Sequence, residues 1–209
     1  MNIAKQSWLV DLVSLLFFTA LTVVAIIMKE ITVFFVIYIF WWDEVIKTLF
    51  DWIRYYFHPN QIKDADKYKV VLYARIFMLA IYLVFIIVCF CFMFEGINND
   101  GFVKNIQVLF FKNTIFNISL ISFVGREAFN YVIHKNPTEL TPDTVLPKGA
   151  LTLHISIILG MFAWFLTSNK FFQMPLGLEK YTTLFTIAPF ILIKFLFDWS
   201  SLKVKDKTE

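Results

Sequence analysis

Glu44, Lys47, Asp51 and Arg54 follow one another at spacings of three, four and three residues. On a helix this spacing puts all four on one stripe, with alternating charge. The chemistry open to such a stripe is ion pairing, ion passage or proton transfer. The residues around it are strongly apolar, and further ionisable residues sit in equally apolar surroundings: Asp43, Arg75, Arg126, Glu127, His154, Lys194 and Asp198. A charge in hydrocarbon costs roughly 2.5–3.5 kcal/mol on insertion scales, so such a residue needs a partner or a task.

The elements that position these residues follow from composition. The chain has 209 residues, of which 59% are hydrophobic and 17% charged, and Phe alone contributes 26. Soluble domains are nearer half apolar and about a quarter charged. A chain of this length cannot bury so much apolar surface in a water-soluble core, so the bilayer is its expected solvent. Six apolar stretches are long enough to cross: about 8–28, 31–53, 70–94, 105–133, 149–167 and 181–202. They are too long and too continuously apolar for barrel strands, and backbone satisfaction in lipid requires helices. The expected fold is therefore all-α: one polytopic transmembrane bundle of six spans occupying residues 1–209. The first span reads as retained rather than as a cleaved leader, because only Lys5 precedes it and Asp11 interrupts it.

The basic residues set the direction. Six spans put both termini on one side, together with Lys5, Arg54, Lys63, Lys67, Lys69, Lys135, Lys148, Lys203, Lys205 and Lys207, and with Arg126 at the end of its span. Lys29, Lys104, Lys170 and Lys180 fall on the other. The excess of Lys and Arg marks the cytoplasmic side, so both termini are expected inside, in a cell inner (plasma) membrane. Under this topology the embedded charges converge on the cytoplasmic half.

Two readings of these charges compete. In the first they are interface residues that snorkel to water, with pairs such as Lys47 and Asp51 neutralising each other at helix ends. This suits Asp51, Arg54 and Arg126. In the second they line a polar vestibule inside the bundle, which suits Glu44, His154, Lys194 and Arg75. Lys47 and Asp198 complete that candidate site. Asp43 and Glu127 are secondary candidates, as are Asn113 and Asn117 toward the outer half of span four, where interhelical hydrogen bonding is the default role. His154 alone reads equally well as a hydrogen-bonded core histidine. Beside a carboxylate it could relay protons, since its ordinary pKa lies near 6.5.

Several chemistries are excluded. One histidine in a span cannot supply a three-histidine zinc site, and no metal or cofactor is expected. No Walker loop, dinucleotide fingerprint or nucleophile elbow is present, so the chain reads as a non-enzyme. Cys89 and Cys91, two apart in an apolar helix, point to different sides and read as small apolar residues. The formal net charge of +3 suits anionic headgroups rather than a nucleic-acid groove.

Three stretches resemble a family of small prokaryotic multi-pass membrane proteins of unknown function. They are Tyr38-Ile39-Phe40-Trp41-Trp42-Asp43-Glu44, then Pro147-Lys148-Gly149 with Leu153-His154-Ile155-Ser156-Ile157-Ile158-Leu159-Gly160, then Lys194-Phe195-Leu196-Phe197-Asp198. The likeness lies in their order and spacing. It implies that Glu44, His154, Lys194 and Asp198 belong to one site, and it implies no activity. The expected function is a channel or transporter subunit with a charged cytoplasmic vestibule, homo-oligomeric because 209 residues make a thin pore wall alone. The alternatives are a membrane-anchored effector that docks a cytosolic protein without transport and, third, an intramembrane enzyme.

Overall fold

The computed structural model describes residues 10, 12–14, 16–22, 31–59, 62, 64–93, 100–133, 151, 153–159, 162, 191–193 and 195–196. Among the described residues every regular element is helical and no strand occurs. Helix α1 is Leu12–Thr22, α2 is Val33–Phe57, α3 is Ala65–Phe85, α4 is Asp100–Leu109 and α5 is Thr114–Ile133. Residues 153–159 of the expected fifth span are helical, as are 191–193 and 195–196 of the sixth. The Lys29-Glu30 turn, the loop from His134 to Pro147, Asp11, Lys194 and Asp198 lie outside the described residues.

Helix α2 is the axis of the bundle. Thr32 caps its start, with the hydroxyl oxygen accepting from the Phe35 amide at 3.1 Å. Eight consecutive residues, Phe34 to Trp41, are buried, so this helix has no outer face along two turns. Helices α3 and α5 flank it. The Trp41 indole donates to the Leu79 carbonyl of α3 at 2.8 Å, and Phe35 and Tyr38 pack their rings on Phe116 of α5. Phe18 of α1 sits between Phe40 and Phe123, with ring centroids at 5.9 and 5.4 Å. At the far end the helix runs four residues past the expected boundary at Ile53, and the His58 amide closes it on the Arg54 carbonyl at 2.9 Å. Trp52, Tyr55, Tyr56 and Tyr73 pack edge and face at that end, the placement of an interfacial aromatic girdle.

Asp64 caps α3, accepting from the Lys67 amide at 3.2 Å. That amide, together with the Lys67 ammonium, holds the Asp64 carboxyl below the ordinary carboxylate range. Helix α3 passes without a break into an eight-residue π-helix, Ile86–Met93. Such wide turns are rare and occur mostly as single-turn bulges. Two stretches are long and apolar enough to cross a membrane, Ala65–Phe92 and Asp100–Val132, and of the apolar 18-residue core of each only 28% is buried. A soluble core helix would be mostly covered; these leave large apolar faces such as Phe77, Val84, Ile121 and Val132 open. Helix α2 is long enough as well, but it carries five charged residues.

The expected fourth span, 105–133, is not one helix. It breaks between Leu109 and Thr114. The Phe111 amide donates to the Val108 carbonyl and the Lys112 amide to the Gln107 carbonyl, at 3.1 and 2.7 Å. This is a Schellman closure. Phe111 occupies its left-handed position, φ 58°, where glycine is usual. The chain restarts at once, because the Asn113 side chain accepts from the Phe116 amide at 2.9 Å and so caps α5. Asn117 binds the Phe111 carbonyl at 2.7 Å. Helix α5 has 20 residues, a rise of about 30 Å, and can cross a hydrocarbon core without α4.

Candidate functional site

The ionisable residues of α2 run from its middle to its end, and the fold surrounds them with bases from both neighbours. Asp43 is fully buried and Glu44 nearly so. Lys47 Nζ reaches back one turn to both, 3.0 Å from Asp43 Oδ2 and 2.7 Å from Glu44 Oε1. The other Asp43 oxygen meets Arg126 of α5 at 2.5 Å. Arg126 also binds its neighbour Glu127, with Nε at 3.0 Å and Nη2 at 2.9 Å from Oε1. Its guanidinium carbon stands 5.2 Å from the centre of the Phe123 ring, a cation–π contact. These five side chains form an upper node with one excess negative charge.

One to two turns further on, Asp51 forms the lower node. Its Oδ1 accepts from Arg54 at 2.8 Å and its Oδ2 from Arg75 of α3 at 3.0 Å. All three are buried. The Tyr68 hydroxyl donates to the Asp51 carbonyl at 3.3 Å and closes the node on the α3 side. This node carries one excess positive charge. Four acids and four bases together make a formally neutral ladder of eight side chains. Between the nodes the Thr48 hydroxyl donates to the Glu44 carbonyl at 2.7 Å.

The pairing differs from the sequence expectation. Lys47 turns toward Asp43 and Glu44, so Asp51 is held instead by two arginines. Asp51 and Arg54 are interior residues rather than water-facing ones, and Arg126 is an interhelical partner. Among the expected site residues, Glu44, Lys47, Asp43, Arg126 and Glu127 come together, and Arg75 joins the neighbouring node. His154 sits elsewhere: its Nδ1 lies 3.1 Å from the Tyr82 hydroxyl of α3, on an exposed face. The predicted companions of His154, Lys194 and Asp198, lie outside the described residues.

Asn113 and Asn117 take backbone roles at the α4–α5 break. Two residues that sequence reasoning passed over, Thr32 and Asn105, connect this end. The Thr32 hydroxyl donates to Asn105 Oδ1 at 2.6 Å, and the Asn105 amide donates to the Phe90 carbonyl of the π-helix at 3.2 Å. Nothing in the sequence singles out Asn105, which lies between Lys104 and Gln107 in a polar stretch. Among the described residues, no three His, Cys, Asp or Glu side chains are arranged to hold a metal ion. The chain matches no family model, no curated protein and no solved structure.

Proposed function

We propose that the chain is a multi-pass inner-membrane protein with six spans and cytoplasmic termini, acting as a channel or transporter subunit whose charged ladder opens to the cytoplasm. One observation carries the reading: Asp43, fully buried, shared between a base on its own helix and a base on α5. Asp43 stands ten residues into α2, about 15 Å from its start, near mid-depth of a crossing helix. A purely structural contact at that depth is made more cheaply by small or apolar residues. From Asp43 the ladder descends through Glu44, Lys47, Asp51 and Arg54 toward the basic end of α2. Lys47 keeps about a third of its side chain exposed while bridging two carboxylates. It is thus the member placed to exchange partners and to let a cation or proton into the upper node. Intramembrane acids in such series are characteristic of ion and proton pathways.

The test is flux from purified protein in sealed liposomes, read with a proton-sensitive dye and with ion-sensitive probes. Wild-type protein should exceed empty vesicles, and Lys47→Met should change the rate. Equal leakage from wild type, Lys47→Met and empty vesicles, in protein confirmed to be inserted and folded, refutes transport. Capture of a defined cytosolic partner by the same preparation would then favour an anchored effector.

A further inference from the structure

His154 takes no part in the ladder. Its ring stands on the helix of residues 153–159, beside α3, with Nδ1 3.1 Å from the Tyr82 hydroxyl and the two ring centroids 5.9 Å apart. His154 is exposed and Tyr82 is only partly covered. Among the described residues nothing else bonds the imidazole, so its second nitrogen, Nε2, is left open. Tyr82 is the midpoint of the apolar stretch 70–94, about 18 Å from its start at 1.5 Å per residue. Ile81 and Phe85 of α3 are open as well, as are Leu151 and Ile158, three and four residues from His154. In a bilayer this nitrogen faces hydrocarbon, which offers it neither a donor nor an acceptor, and a polar group left so is costly.

We propose that two copies of the chain pair through this face, with His154 of each hydrogen-bonded to Tyr82 of the other. The inference rests on the membrane reading above, but not on transport. The hydrogen-bonding groups themselves select a second copy. In one tautomer the Tyr82 hydroxyl donates to Nδ1, and the Nε2–H is left to donate to the hydroxyl oxygen of the other copy, which keeps a lone pair. In the other tautomer Nδ1–H donates to the Tyr82 oxygen, and the hydroxyl proton is left to reach Nε2 of the other copy. Each copy thus holds both halves of the missing contact. Copies inserted in the same direction carry the pair at the same depth, and a two-fold axis along the membrane normal sets the face against itself. An acyl chain bears neither group, and the ester and headgroup oxygens of lipid lie toward the ends of the stretch, not its middle. Polar side chains that hydrogen-bond across helices are a recurrent source of association in lipid.

The experiment uses the full chain with donor and acceptor fluorophores on an added C-terminal tag, in vesicles of phosphatidylethanolamine and phosphatidylglycerol at increasing lipid dilution. Alkaline carbonate extraction comes first. Release of the protein overturns the membrane reading and this inference with it. For retained protein, energy transfer should fall with dilution as a dimer dissociates. Tyr82→Phe, which keeps the ring, and His154→Leu should each weaken pairing about five- to tenfold, since each removes both cross-copy hydrogen bonds. The double variant should be no weaker than either single. Phe77→Leu, on another open face of α3, should leave pairing unchanged. In a Cys89→Ala, Cys91→Ala background, copies carrying Tyr82→Cys mixed with copies carrying His154→Cys should be joined by a short bifunctional thiol reagent, and copies carrying Phe77→Cys should not. Monomer at every dilution, pairing unchanged by both substitutions, additive losses in the double variant, or crosslinking no better than through Phe77→Cys overturns the proposal and leaves the ladder untouched.

Discussion

Replacing Asp43 by Asn tests the ladder most directly. The substitution keeps the side-chain volume and removes one charge, so packing around Phe40 and Trp41 is preserved. At an effective dielectric near 20, Coulomb's law gives about 7 kcal/mol for the 2.5 Å contact to Arg126 and about 6 kcal/mol for the 3.0 Å contact to Lys47. Most of this offsets the desolvation of the three groups. Lys47 retains Glu44 and Arg126 retains Glu127, so neither base is left alone. The expected loss is therefore about 3 kcal/mol, at the lower edge of the range for breaking a buried pair. In a chain of this length that corresponds to about 6–12 °C in midpoint. The assay is reversible unfolding of the detergent-solubilised protein as a double-mutant cycle. Asp43→Asn with Arg126→Met restores neutrality at the contact and should recover 1–3 kcal/mol relative to the sum of the singles. Asp43→Asn with Arg75→Met restores overall neutrality without touching the contact, because Arg75 binds Asp51. That pair should be additive. Additivity in both pairs would refute the ladder; recovery in both would mean that net charge matters and geometry does not.

Three further outcomes follow from other parts of the fold. Phe111→Gly should be more stable than Phe111→Ala by about 1 kcal/mol, reversing the usual helix order, because both lose the ring contacts to Trp42 and Phe116 but only Gly relieves the left-handed backbone; equal stabilities in thermal unfolding would deny that strain. The depressed pKa of Asp64 means that the folded state releases this proton more readily than the unfolded chain, so its contribution is present above the unfolded value near 4 and is lost as pH falls through the folded value. Protection of the first amides of α3 against hydrogen exchange, relative to the unfolded chain at the same pH, should fall as pH drops through that folded value in wild type, and Asp64→Asn should abolish that acid step. Reporter fusions after Lys63, Asp143 and Glu209 should report cytoplasm and those after Asn99 and Gln173 the outside; a cytoplasmic signal at Asn99 would refute six spans.

What could be read in the residues was whatever periodicity and composition control. The helices over 33–57, 65–85 and 114–133 follow from apolar runs, and the charged stripe on α2 follows from its spacing. Pairing is a different matter. Asp43 and Arg126 are 83 positions apart, and no local rule selects Arg126 over Lys47 or excludes Lys47 from Asp51. Only the parallel run of α2 and α5, set by side-chain packing of Phe35 and Tyr38 on Phe116, brings them level. The break in the fourth span was half legible. Asn113 before an apolar run is a helix-start signal, but the stop before it uses Phe111 where a glycine would have announced it. The π-helix leaves no trace in composition, because its residues are as apolar as those of any buried helix.

The distribution of the ladder among the helices bears on how the chain enters a bilayer during synthesis. The acids and bases of α2, Asp43, Glu44, Lys47, Asp51 and Arg54, sum to one negative charge; the buried base of α3, Arg75, is one positive charge; Arg126 and Glu127 of α5 cancel. In a six-span topology, α2 released alone into lipid would carry an uncompensated charge until its successor arrived. The α2–α3 hairpin is the smallest unit containing α2 in which the ladder charges sum to zero, and Asp51 with Arg75 is the contact between its two helices. Under that topology, insertion as a pair, with α2 held at the translocation machinery until residue 75 has been made, is the route that keeps the net charge of α2 from entering hydrocarbon alone.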